Sequence, residues 1–146
     1  MHETANDSVF SLIASQEGVR DGLLRIRRFL DASFLDQNAC GILEIVLAEA
    51  LNNVVEHAYD MCETGAISVA LQLRIGGTSI DILDNGAAMA GNTLPEGRLP
   101  PLDCAVHNLP EGGFGWALIR SQTDALWYRR TKGRNHLHMH LPHRPA

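Results

Sequence analysis

The sequence has few cysteines, and its basic residues are outnumbered by acidic ones. Its three cysteines, Cys40, Cys62 and Cys104, lie far apart and form no CxxC pair, which argues against a disulfide framework and predicts reduced thiols. Lysine and arginine together number 12 against 17 aspartates and glutamates, so the net charge is −5. This acidity argues against general nucleic-acid binding, and no direct nucleic-acid partner is expected.

Long apolar runs are also missing. No uninterrupted apolar stretch approaches the length of a membrane span, and no basic start followed by an apolar run indicates a secretory signal. We therefore expect a cytoplasmic protein that does not contact the membrane. The 146 residues suffice for one buried core, so we predict a single domain over residues 1–146, with flexible tails at about 1–7 and 142–146.

Hydrophobic periodicity predicts a short strand and two helices in the first part of the chain. The strand is expected at Val9–Ile13, and the first helix begins near Ser15 and continues through Phe34. A second, largely buried helix is predicted from about Asp36 to Tyr59.

Two β-hairpins follow in the pattern. Apolar and polar residues alternate over Ile67–Ile75 and Ser79–Leu83, around a tight turn at Gly76-Gly77. Two further strands are expected at Ala125–Arg130 and Asn135–Leu141. This order of elements predicts an α+β fold in which an antiparallel sheet is layered against helices.

Three polar residues occupy one flank of the second predicted helix. At about 100° per residue, Glu49, Asn53 and His57 line up at positions i, i+4 and i+8. On an arbitrary helix such a stripe most often faces water. The sequence further along the chain favours a functional role instead.

Two glycine-containing segments flank a long irregular stretch. Asp84-Asn85-Gly86 ends the first hairpin, and residues 87–110, with four prolines, read as a functional loop. Gly112-Gly113-Phe114-Gly115 then opens an apolar helical pattern. Glycines at the start of a helix favour anion binding, because the unpaired N–H groups and the helix dipole can face phosphates at close approach.

These segments resemble, in order, the N, G1 and G2 boxes of the GHKL ATPase superfamily. Glu49–Asn53 with His57-Ala58-Tyr59 is similar to the N box of the anti-sigma serine kinases. Asp84-Asn85-Gly86 resembles the G1 box, and Gly113–Ile119 the G2 box. The resemblance covers almost the entire chain. It implies the Bergerat fold, a two-layer α/β sandwich whose mostly antiparallel sheet is covered by helices on one face, with an ATP lid at about 87–112.

The resemblance also implies a role for each matching residue. Glu49 would be the catalytic base, Asn53 would hold Mg²⁺, and Asp84 would accept a hydrogen bond from the adenine amino group of ATP. The remaining nucleotide contacts would come from Gly86, Gly113, Phe114 and Gly115. His57 is expected either near the nucleotide or in a structural role.

The implied function is that of an ATP-dependent serine/threonine protein kinase acting as an anti-sigma factor. Such a protein phosphorylates a STAS-domain antagonist and holds a sigma factor or another client. The alternative is a nucleotide-dependent sequestering module, or a weak ATPase, without phosphotransfer. The resemblance also allows a homodimer.

Several residues fall outside this pattern. Arg134 and Asn135 stand where relatives commonly have small hydroxyl residues, which leaves a contact of this strand with adenine open. Arg98 and Arg120 are candidates for a γ-phosphate contact by charge alone. The last strand carries three histidines on one face, roughly 7 Å apart, which do not converge on one ion, so no zinc site is predicted; they are His136, His138 and His140.

Overall fold

The computed structural model describes residues 5–59, 65–89, 93–95 and 114–143. This part of the chain contains five strands and three α-helices, which in chain order are β1 (Ala5–Ile13), α1 (Gln16–Asp31), α2 (Gln37–Asn53), β2 (Ala66–Arg74), β3 (Gly77–Asp84), α3 (Phe114–Gln122), β4 (Ala125–Thr131) and β5 (Arg134–Pro142).

The strands form one antiparallel sheet in the order β1-β2-β3-β5-β4. Both predicted hairpins, β2–β3 and β4–β5, are present. Lys132 and Gly133 connect β4 to β5 with φ values of 52° and 75°, a left-handed pair that suits a two-residue hairpin turn. The hairpins join through β3 and β5, which places Asp84 directly opposite Asn135. The predicted α+β fold with an antiparallel sheet is confirmed.

The helices cover one face of the sheet. Along β2 every second side chain is buried, as expected for a strand with one face in the core. Helix α2 is the central helix and packs between α1 and α3. Its buried positions recur every three or four residues, and they are Cys40, Leu43, Val46, Leu47, Ala50 and Leu51.

Both long helices begin where the sequence predicts, because each has a side-chain cap. Ser15 Oγ accepts a hydrogen bond of 2.9 Å from the Gly18 backbone N–H, and Asp36 Oδ1 accepts one of 2.8 Å from that of Ala39. Helix α1 ends at Asp31, three residues before the predicted end at Phe34.

Helix α2 continues into a π-helical turn, Val54–Ala58, that the periodicity did not predict. A π turn is a single widened turn within a helix and occurs frequently at functional sites. By length and mean hydropathy, 1.3, the continuous helix Gln37–Ala58 is apolar enough to cross a membrane. Its apolar side packs in the core between the neighbouring helices and the sheet, as in the core helix of a globular domain.

The predicted flexible tails are wrong at their inner ends. Residues 5–7 belong to β1 and pair with β2, and Arg74 Nη1 lies 2.6 Å from Asp7 Oδ1. This hydrogen bond holds the pKa of Asp7 below its usual value. At the other end Pro142 pairs with Gly77 as the last residue of β5.

One cysteine lies in the described residues. Cys40 is buried, and its thiol donates to the Leu30 carbonyl at 3.4 Å. Burial raises the pKa of Cys40, which disfavours the reactive thiolate. Cys62 and Cys104 lie outside the described residues.

Candidate active site

The last turns of α2 carry two polar side chains that are only half-buried. Glu49 and Asn53 are four residues apart, so their side chains are neighbours on one side of the helix. Because neither is enclosed in the core, a ligand at this end of α2 could contact both. The Glu49 carboxylate can accept a proton as a general base. The Asn53 amide oxygen can be a ligand to a hard divalent cation.

His57 differs from these two residues in exposure. It lies in the π turn Val54–Ala58 and is exposed, whereas Glu49 and Asn53 are half-buried. The His57 side chain is 66% exposed, and its Nε2 lies 3.9 Å from Glu56 Oε2. The structure thus places His57 in solvent at the edge of the site, and its predicted role stays a prediction.

The start of α3 lies against Glu49. A methyl group added to Gly115 would lie 2.4 Å from Glu49 Oε2, so a larger residue here would displace this carboxylate. Buried Trp116 and Ile119 anchor α3 in the core. The first turn of a helix has N–H groups without intrahelical partners and a partial positive charge, so this is a place where anionic groups are stabilised.

Asp84 ends β3 and is nearly buried, with 5% of its surface exposed. Its Oδ1 accepts hydrogen bonds of 2.8 Å from the Gly86 backbone N–H and of 2.8 Å from Asn135 Nδ2. Within the described ranges, no hydrogen bond is made to Oδ2. The carboxylate is therefore held by one oxygen, and the other is available to a ligand.

The loop after Asp84 is seated on the π turn. A methyl group on Gly86 would lie 2.5 Å from the Ala58 carbonyl oxygen, and the Ala87 N–H donates to that oxygen at 2.7 Å. Since Ala58 and Glu49 belong to the same continuous helix, the three sequence motifs meet along α2 and its π extension.

Tyr59 supports the same loop through its hydroxyl, a role that was not predicted from the sequence. The side chain is 4% exposed, and its hydroxyl accepts from the Asn85 N–H at 3.1 Å and donates to the Ala66 carbonyl at 3.3 Å. Its place directly after His57-Ala58 in the first motif was the only sequence signal for this contact.

Arg120, a candidate for a γ-phosphate contact, makes its hydrogen bonds to another segment. Arg120 donates from Nε and Nη2 to the Pro95 carbonyl, at 3.1 and 2.8 Å. Gly113, Arg98 and most of the predicted lid, residues 87–112, lie outside the described residues.

The three histidines of β5 pair with aspartates. His136 Nε2 and His138 Nδ1 lie 2.7 and 2.8 Å from Asp81 Oδ1, and His140 Nδ1 lies 2.6 Å from Asp124 Oδ1. Burial raises the pKa of Asp81, but the hydrogen bonds to the two histidines outweigh it and leave that pKa lowered. Among the described residues, no group of three histidine, cysteine or acidic side chains is arranged to hold a metal ion.

Comparison with known proteins identifies the family. The model of the histidine kinase-like ATPase domain matches residues 12–141. The chain is 37% identical over 95 residues to the serine/threonine-protein kinase BtrW of Bordetella bronchiseptica, covering 65% of each protein. It is 32% identical over 93 residues to the serine-protein kinase RsbW of Halalkalibacterium halodurans, covering 62% of this chain and 56% of RsbW. The chain thus spans about three fifths of the length of these curated relatives.

A solved structure has the same fold. The crystal structure of the RsbU and RsbW domains of a Mycobacterium tuberculosis protein matches with a TM-score of 0.60 at 17% identity, over 97% of this chain and 34% of that one. The family match covers nearly the whole chain, and the sheet and helix layers agree with it. The chain therefore belongs to the family of histidine kinase-like ATPase domains.

Proposed function

We propose that this protein is an ATP-dependent serine/threonine protein kinase that acts as an anti-sigma factor by phosphorylating a STAS-domain antagonist. The observation that carries the proposal is the position of Glu49, whose carboxylate lies against the first turn of α3 and one helical turn before Asn53. This is where a general base is needed if phosphates bind at the start of α3.

The spacing of the site fits a nucleoside triphosphate. Asp84 would accept a hydrogen bond from the adenine amino group through Oδ2, beside Gly86 and Ala58. Glu49 precedes Ala58 by nine residues of continuous helix, which corresponds to about 13 Å. An extended nucleoside triphosphate bound along α2 would thus have its adenine base near Asp84 and its γ-phosphate near Glu49.

At this position Glu49 would accept the proton of an incoming serine or threonine hydroxyl. The hydroxyl oxygen forms a bond to the γ-phosphorus while the bond from that phosphorus to the β–γ bridging oxygen breaks, so that ADP leaves. The half-buried carboxylate is accessible enough to receive a side chain from a protein substrate. Gly113, Phe114 and Gly115 are proposed to hold the phosphates at the start of α3, where the missing side chain of Gly115 leaves room for the Glu49 carboxylate.

Asn53 is proposed as a magnesium ligand. Its half-buried amide can offer an oxygen, the type of donor that Mg²⁺ prefers. Magnesium, when bound, neutralises charge on the phosphates. A single protein ligand suits a cation whose other ligands are phosphate oxygens and waters.

The relatives extend the proposal to partners. The names of BtrW and RsbW describe serine or serine/threonine kinases, which supports phosphotransfer to a protein. We further propose a sigma factor or another regulatory protein as the client, a cytoplasmic location, and a homodimer as the assembly.

The test is transfer of labelled γ-phosphate from Mg·ATP to a STAS-domain protein. Glu49→Gln should reduce transfer by about 100-fold or more, while ATP binding is retained, because a general base acts only on the chemical step. Glu44→Gln is the matched control, since Glu44 lies on the same helix and pairs with Arg27 at 3.6 Å. This control should transfer phosphate normally.

Two other results would contradict parts of the proposal. Normal phosphotransfer by Glu49→Gln would show that Glu49 is not the general base. Mg-dependent ATP binding without transfer to any STAS-domain protein would favour the sequestering module without phosphotransfer.

A further inference from the structure

Asn135 stands directly opposite Asp84 where β3 pairs with β5. Both side chains are 5% exposed, and Asn135 Nδ2 donates to Asp84 Oδ1 at 2.8 Å. The same amide nitrogen donates to the Ala87 carbonyl at 2.9 Å. One asparagine thus connects the carboxylate of Asp84 with the loop that follows it.

The orientation of this amide is determined by its other end. Asn135 Oδ1 accepts from the Tyr128 hydroxyl at 2.5 Å and from Arg130 Nη1 at 2.8 Å. Arg130 is purely a donor, so the amide oxygen must face it and the NH₂ group must face Asp84. Arg130 Nη1 also donates to the Gly86 carbonyl at 2.9 Å.

This network acts on one oxygen of Asp84. The Gly86 N–H and the Asn135 amide both donate to Oδ1. The first donor lies in the loop after β3, and the second lies on the neighbouring strand β5. Two donors on one oxygen fix the rotation of a carboxylate and aim its second oxygen. Gly86 alone, which lies in the loop directly after Asp84, would allow that loop and the carboxylate to rotate together.

We infer that Asn135 is a positioning residue that aims Asp84 Oδ2 at the 6-amino group of adenine. The inference rests on the proposed nucleotide site and adds to it a residue of β5 that does not itself contact the base. Asn135 stands where relatives commonly have a small hydroxyl residue, and the inference gives this difference a function in recognition of the base.

A purely structural role makes a different prediction. If Asn135 only stabilised the loop, its loss would weaken all purine nucleotides alike. If it aims Asp84, its loss reduces only the part of the affinity that comes from the 6-amino group. The two roles are separated by comparing ATP with the triphosphate of purine riboside, which has a hydrogen atom in place of that amino group.

The experiment measures the dissociation constants of both nucleotides, with Mg²⁺, for the complete chain and its variants. The unmodified protein should prefer ATP, and Asn135→Ala should reduce the ratio of the two affinities by about tenfold, the effect of roughly one hydrogen bond to a charged group. Its affinity for the purine riboside nucleotide should stay close to that of the unmodified protein. Asn38→Ala, at an exposed position of α2, is the matched control and should keep the full ratio.

Two further variants keep the outcomes distinct. Asn135→Leu fills a similar volume without an amide and replaces the alanine variant if that variant does not fold. Asp84→Asn reports on the nucleotide site itself. A ratio unchanged by loss of Asn135, or an equal loss for both nucleotides, overturns the inference. A protein that shows no preference for ATP, and is insensitive to Asp84→Asn, would instead refute the proposed nucleotide site.

Discussion

The contact between Gly115 and Glu49 depends on a missing side chain. A methyl group at Gly115 would approach Glu49 Oε2 to 2.4 Å, and the flexible carboxylate would have to turn away. Gly115→Ala should therefore leave the fold intact but reduce phosphotransfer by about 10- to 100-fold, since a displacement of about 1 Å has effects of this size on a reacting group. The measurement is the rate of phosphotransfer to a STAS-domain protein at saturating ATP.

Gly41→Ala provides the control for this variant. Gly41 also lies in a helix, but a methyl group there would have no neighbour within 4 Å. The substitution should stabilise α2 by roughly 0.5–1 kcal/mol and leave transfer unchanged. Transfer by Gly115→Ala at the unmodified rate would show that the orientation of Glu49 does not limit the reaction.

Individual site residues were predictable from the sequence only where they belong to a short motif. Glu49 and Asn53 are one helical turn apart, and Asp84 immediately follows an alternating strand, so local spacing identifies them. Asn135 lies 51 residues from its partner Asp84. Their contact depends on the register between two non-consecutive strands, which local periodicity does not specify.

Among the elements, the π turn at the end of α2 is the feature that the sequence did not reveal. Its residues, Val54–Ala58, have the same apolar character as the α-helix before them, so the periodic pattern continues without a visible change. The turn contains the exposed His57, and its last residue presents the Ala58 carbonyl to the loop after β3. Sequence periodicity could predict the helix but not this local widening.

The junction between this turn and the loop can be tested with Gly86→Ala. The added methyl group would lie 2.5 Å from the Ala58 carbonyl oxygen and 2.6 Å from the Ala58 Cβ, both of which are held by backbone. We expect a loss of about 1–3 kcal/mol in the free energy of unfolding, typical of overpacking. ATP affinity should fall as well, because Gly86 N–H holds Asp84. Urea denaturation and ATP titration measure the two effects.

Gly76→Ala is the corresponding control in another loop. Gly76 lies in the turn between β2 and β3, where an added methyl group would meet nothing within 4 Å. Its free energy of unfolding and its ATP affinity should stay close to those of the unmodified protein. If Gly86→Ala behaved in the same way, the loop would not be seated on the π turn as described.

At the scale of the whole molecule, the sequence predicted the two hairpins and the two long helices, but not how the hairpins join. Turn residues and alternation determine each hairpin locally. The pairing of β3 with β5 joins the two hairpins, which are distant in the sequence. It depends on the core that both strands share, which includes Ile80, Ile82 and Met139. Long-range packing therefore decides the sheet order that brings Asp84 and Asn135 together.

The end of the β3–β5 pair opposite Asp84 and Asn135 gives the molecule a dependence on pH. His143 follows β5, and its Nε2 lies 2.7 Å from Oγ1 of the fully buried Thr78. Burial lowers the pKa of His143, and the charge of His140 lowers it further, while Asp36 acts in the opposite direction. As the pH falls through the ordinary histidine range, about 6.5, the unfolded chain therefore binds a proton at this position more readily than the folded protein.

The folded state should accordingly lose stability on acidification below about pH 6.5 through this residue, and be most stable with His143 neutral. His143→Gln keeps a polar group beside Thr78 but does not titrate. Urea denaturation at a series of pH values should show that the free energy of unfolding falls more steeply with acid in the unmodified protein than in the variant. All other histidines are present in both proteins, so the difference between the two curves reports His143 together with its electrostatic coupling to His140. Parallel curves would mean that His143 has the same proton affinity folded and unfolded, and that burial against Thr78 does not disfavour its charge.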